Sequence, residues 1–184
     1  HPDRVTWGTE MSEDYTYDKA VYDRMISFVR EFIGSMPKDV QEKILEIILR
    51  ENDTKKALDY VKNVIDDLRN KKVPLNRVII HTQLQKDILD YAAKGPHVAV
   101  AQRLINKGRS IGPGSMIKYV VTKGSDIIRN RSKLPEEVKE NEYDADYYIN
   151  NQVIPAVERI FNVIGYKKED LLEIKEQTKL EGFF

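Results

Sequence analysis

Residues 95–125 read GPHVAVAQRLINKGRSIGPGSMIKYVVTKGS, and two successive periodicities within them decide the fold class. Pro96 suits the first position of a helix, where its missing N–H costs nothing. Val98, Ala101, Leu104 and Ile105 then recur at helical spacing, and Gly108 supplies the stop. Beyond a turn at Gly112-Pro113-Gly114 the pattern alternates. Met116, Lys118, Val120 and Thr122 fall on one side of a strand, and Ile117, Tyr119, Val121 and Lys123 on the other. Arg103, Lys107, Arg109, Lys118 and Lys123 are basic, and no acid falls between Gly95 and Ser125. In a chain without net charge, such segregation points to an anionic partner. The competing reading is a solvated face on an ordinary α+β domain. His97 opens the helix, where unpaired N–H groups and the positive dipole end favour a phosphate.

Toward the C-terminus, Ile127-Ile128-Arg129 reads as a returning strand, which makes Gly124-Ser125-Asp126 a hairpin loop. Arg129, Arg131 and Lys133 continue the basic theme, and residues 134–142 read as a charged loop. Asp144 is expected to cap a long helix to Ile164, closed by Gly165 and kinked at Pro155. A last short helix is expected from Lys168 to Glu173.

Toward the N-terminus, Gln83 to Tyr91 reads as a short helix with Leu84 and Ile88 inward, and Val78 to His81 as a short buried strand. Ala57, Val61, Ile65 and Leu68 mark a helix capped at Asn52-Asp53-Thr54. Val40, Ile44, Ile47 and Ile48 mark the helix before it, and Val21, Tyr22, Met25, Phe28, Val29 and Phe32 another. Residues 1–16 have no clear period and carry the sole tryptophan, Trp7. The expected class is α+β, predominantly helical, with a small β-hairpin and an N-terminal helical extension.

The 184 residues carry 30 basic and 30 acidic side chains, so nucleic-acid contact must come from local patches. With no cysteine, disulfides, thiolate ligands and a cysteine nucleophile are excluded. No apolar run approaches the ~20 residues of a membrane span, and a cytoplasmic, nucleoid-associated protein is expected. The sequence opens on His1, so a trimmed or partial start is expected. His81 and His97 lie far in sequence from any acid–base partner, which argues against a catalytic dyad.

The run from Tyr143 to Ile160, YDADYYINNQVIPAVERI, resembles the C-terminal thumb of archaeal family B DNA polymerases. The runs HTQLQKDILDY, GPHVAVAQRL and PGSMIKYVVTKGS are similar to the same domain, in the same order. The resemblance implies a thumb-like domain over 35–173 that grips newly made duplex across its minor groove, mainly through phosphates. Candidate DNA-contact residues are Gln83, Lys86, Lys94, Gly95, His97, Arg103, Lys107, Arg109, Lys118, Lys123, Ser125, Arg129 and Arg131. Family B enzymes hold catalytic metals with palm aspartates in a DTDG-like motif, which is absent from this sequence. The resemblance therefore implies no catalytic or metal-binding residues in this chain, with Mg held by a large partner chain bearing exonuclease, palm and fingers. Residues 1–11 are similar to the last palm segment, with Trp7-Gly8 where the family has Arg-Gly. Residues 12–33 look like an added helix, making 1–34 the expected docking region.

Gln177-Thr178-Lys179-Leu180-Glu181-Gly182-Phe183-Phe184 fits the clamp-binding box Q-x-x-[aliphatic]-x-x-[aromatic]-[aromatic]. In a 3₁₀ turn, residues three apart eclipse, so Leu180 and Phe183 share a face with Phe184 beside them. That plug suits an apolar pocket on a sliding clamp (PCNA), with Gln177 as the polar contact. The resulting expectation is the small subunit of a two-chain DNA-dependent DNA polymerase, with tail 174–184 tethering it to the clamp. Two rivals are a non-enzymatic adaptor joining duplex DNA to the clamp, and a helical interaction domain without a nucleic-acid role.

Overall fold

The computed structural model describes residues 35–167, 169–171, 173 and 176. The expectations placed on 1–34 and on Gln177, Leu180, Phe183 and Phe184 therefore lie outside the described residues. The described chain is mostly helical with one three-stranded antiparallel sheet. It divides into two units: 1–72 with 146–184, and 73–145.

The first unit is helical. Helix α1 (Ser35–Glu46) runs into a π-helical turn (Ile47–Glu51), and α2 (Thr54–Arg69) follows. Asn52 adopts the left-handed conformation, and the Asp53 carboxylate accepts the Lys56 N–H at 2.9 Å, ending one helix and capping the next. Met36, Val40 and Ile44 from α1, with Val61, Ile65 and Leu68 from α2, are fully buried, as their helical spacing predicts. The long helix expected after Asp144 is broken into a first helical turn (Ala145–Tyr148), a π-helical turn (Ile149–Val153) and a ten-residue helix (Ile154–Val163). The Ile154 N–H bonds to Ile149 O, so a single wide turn accommodates Pro155, which lacks a donor and crowds the carbonyl four residues back. Gly165, at φ +92, follows as the stop. Buried Gln41 ties α1 to this helix, donating from Nε2 to Ala156 O at 3.0 Å.

In the second unit, a helical turn α3 (Leu75–Val78) precedes strand β1 (Ile80–Gln83), helix α4 (Pro96–Asn106), β2 (Met116–Val121) and β3 (Ser132–Lys133). The sheet order is β1-β2-β3, with His81 opposite Lys118 and Val120 opposite Lys133.

Three expectations are corrected here. The strand expected at 78–81 starts later, because Pro74 caps a helical turn that takes up Val78. The helix expected over 83–91 is reduced to a 3₁₀ turn, Ile88–Asp90. Gln83 is held in the sheet opposite Met116, the Asp87 carboxylate accepts the Leu89 N–H, and Gln85 N–H donates to the Tyr91 hydroxyl. The strand expected at 127–129 is a turn instead, and β2 pairs with Ser132–Lys133. Asp126 captures Ile127 N–H at 2.7 Å and the Asn130 amide at 3.1 Å, a local bonding pattern that competes with a ladder. Alternation along β2 holds to Tyr119, and Val120, Val121 and Thr122 are then all buried. The turn at Pro135–Glu137 lies against β2 and covers this end. No described helix is long and apolar enough to cross a membrane.

Candidate nucleic-acid interface

The candidate contacts cluster in the 73–145 unit, which carries twelve Lys and Arg against eight Asp and Glu. Gly95 precedes α4 and accepts the Ala99 N–H, and Pro96 takes the first helical position. This places His97 edge-on to Tyr91, with ring centroids 5.5 Å apart. A Cβ on Gly95 would lie 3.3 Å from the His97 imidazole, so the ring packs tightly over that glycine. Burial lowers the His97 pKa below its usual range and favours a neutral ring. Lys86 Nζ sits 5.0 Å above the Tyr91 ring, within cation–π range.

Between this corner and the 129–130 turn lies a cleft of about 680 Å³. Lys94, Arg103 and Arg129 line it together with Tyr91 and Leu89, and no acid does. Leu89 is 87% exposed. Arg103 also donates from Nη2 to Ser132 O. Lys107 faces a smaller pocket and pairs with Glu137 at 2.7 Å, a contact that holds the Glu137 carboxyl below its ordinary range.

Lys118 lies on β2 directly opposite His81, and cross-strand neighbours point to the same face. Desolvation and then Lys118 lower the His81 pKa. Gln83 donates to Gly114 O at 3.2 Å, at the exposed end of that ladder. Lys133, opposite Val120, adds a cation to the face carrying Lys118. Arg109, Lys123, Ser125 and Arg129 are exposed. Arg131 is placed differently: its guanidinium turns inward to Asp144 at 2.5 Å.

Lys94, Arg109, Lys118, Lys123, Arg129 and Lys133 have no carboxylate partner among the described residues. Sequence reasoning missed Leu89, Tyr91 and Asn130 as cleft residues, since only the folded chain brings 88–91 to 129–130. Among the described residues no group of three or more His, Asp or Glu could hold a metal ion.

A small sheet presenting uncompensated cations is the kind of surface that takes a polyanion. The chain belongs to DNA polymerase family B, whose family model matches residues 7–164. It is 45% identical over 150 residues to a DNA polymerase of Thermococcus aggregans, covering 80% of this chain and 8% of that protein. It is 40% identical over 159 residues to a DNA polymerase of Methanocaldococcus jannaschii, covering 86% of this chain and 10% of the relative. Among solved structures it is similar to the family B DNA polymerase of Pyrobaculum calidifontis, with a TM-score of 0.63 and 35% identity. That likeness covers 72% of this chain and 18% of the polymerase. The chain thus spans a tenth or less of the two curated relatives' length.

Proposed function

We propose that this chain supplies the duplex-gripping thumb of a DNA-directed DNA polymerase, as the small subunit of a two-chain enzyme. The observation that carries this reading is the set of unpaired cations, Lys94, Lys118, Lys123 and Arg129 among them, in a family B polymerase chain. Phosphates are sequence-independent targets, which is what a grip on product of every sequence needs. The Mg ions of synthesis would be held by carboxylates of the large catalytic subunit, since two-metal phosphoryl transfer needs such ligands. Trp7 and residues 12–33 would dock on that subunit, and Gln177, Leu180, Phe183 and Phe184 would tether the pair to the sliding clamp.

Primer extension by the reconstituted pair tests both halves. Extension should need both chains, and removal of everything after Lys175 should leave basal extension intact while abolishing stimulation by the clamp. Equal stimulation of full and shortened forms would remove the tether, and extension by the large chain alone would remove the subunit role.

A further inference from the structure

Arg129 and Arg131 are chemically identical and two residues apart, but the fold uses them differently. Arg129 is exposed at the cleft, whereas the Arg131 and Asp144 side chains are only 15% and 16% exposed. Arg131 Nη1 donates to Asp144 Oδ2 at 2.5 Å and to Thr122 O at 2.6 Å, and Nε donates to Asp126 O at 2.8 Å. The Arg131 carbonyl in turn accepts the Thr122 N–H at 2.9 Å and the Thr122 hydroxyl at 2.7 Å. Asp144 is itself anchored, its N–H donating to Val121 O at 2.9 Å. The Arg131 stem packs along Gly124, its Cδ 3.4 Å from where a Cβ would lie. One side chain therefore joins both ends and the middle of the loop 123–130, which exposes Lys123, Ser125 and Arg129.

We infer that Arg131 and Asp144 are positioning residues that hold the 123–130 loop in its phosphate-binding geometry, and that Arg131 makes no phosphate contact of its own. The inference rests on the duplex-gripping reading. A loop already ordered before binding avoids the conformational entropy that a floppy one loses on contact. Arginine suits the task because its rigid fork reaches separate acceptors at once, which a lysine ammonium on a flexible stem does not.

Asp144→Asn and Arg131→Lys in the full chain, measured by duplex binding across salt and by hydrogen exchange over 123–130, test this. Asp144→Asn makes the surface more positive, so a role through charge alone gives equal or tighter binding. A positioning role gives binding about tenfold weaker, through lost preorganisation, with faster loop exchange and an unchanged salt slope. Arg131→Lys keeps the charge and should show the same loss, whereas a phosphate contact would largely survive it. Wild-type exchange in both variants, or wild-type affinity in Arg131→Lys, overturns the inference. If the wild-type chain itself fails to bind duplex, the gripping reading falls, and the exchange data alone decide whether the pair orders the loop.

Discussion

In the helical unit, acids and bases meet along the same helix or across one turn: Lys38 with Glu42, Lys43 and Arg50 with Glu46, and Lys56 with Glu51. In the 73–145 unit, Glu137 pairs with Lys107 and Asp144 with Arg131, while four other acids accept from backbone donors. Asp87 accepts from Leu89, Asp126 from Ile127, Glu140 from Leu75 and Glu142 from Lys139. Outside 73–145 the chain has eighteen basic and twenty-two acidic residues, the reverse of the twelve and eight within it. A chain with zero net charge thus keeps one unit positive because its excess of acids lies outside that unit. Formal neutrality conceals that division.

The largest expected effect separates the units by stability. Phe161 is fully buried and meets Tyr166 edge-on at 5.8 Å, so Phe161→Ala should cost about 3–5 kcal/mol. Denaturant unfolding measures that loss, while the salt slope of duplex binding by the folded fraction should stay as it is. A changed slope would break the separation of tasks. Next in size, replacing Lys118, Lys123 and Arg129 by alanine should weaken duplex binding on the order of 10- to 100-fold and reduce the salt slope by about three. Stability should move by less than about 0.5 kcal/mol per site, as for exposed residues elsewhere. Titrations on duplexes of different sequence check it, and a shift in sequence preference would point to base readout.

The helical unit was legible because its information is local. The stripes of α1 and α2, the Asp53 cap and the Gly165 stop all follow from neighbours within a turn or two. Legibility fails where side chains bond to backbone across loops. The sequence reads 127–129 as a strand and treats Arg129 and Arg131 alike as basic, but Asp126 folds that segment into a turn and Asp144 draws Arg131 inward. The basic character of the surface was readable from residue types alone. Its division into a cleft at Lys94, Arg103 and Arg129 and a sheet face at Lys118 and Lys133 was not, since both depend on tertiary pairing.

The smallest expected effect concerns pH, and it tests whether the histidines belong to the charged set. Both lie in the 73–145 unit, and both have pKa values lowered from 6.5, chiefly by desolvation, with Lys118 adding to the effect at His81. A lowered folded pKa means that the unfolded chain binds the proton more readily. The neutral rings therefore contribute stability that is present above the unfolded pKa and lost as pH falls through the folded one. The thermal midpoint should drop modestly on acidification below neutrality, and His81→Gln with His97→Gln should flatten that drop. Duplex affinity, by contrast, should change little between neutral pH and 6.5, because neutral imidazoles add no charge toward phosphate. Affinity that climbs steeply over that interval, and loses its climb in His97→Gln, would place a protonated His97 on the phosphates and move the boundary between packing and binding residues into α4.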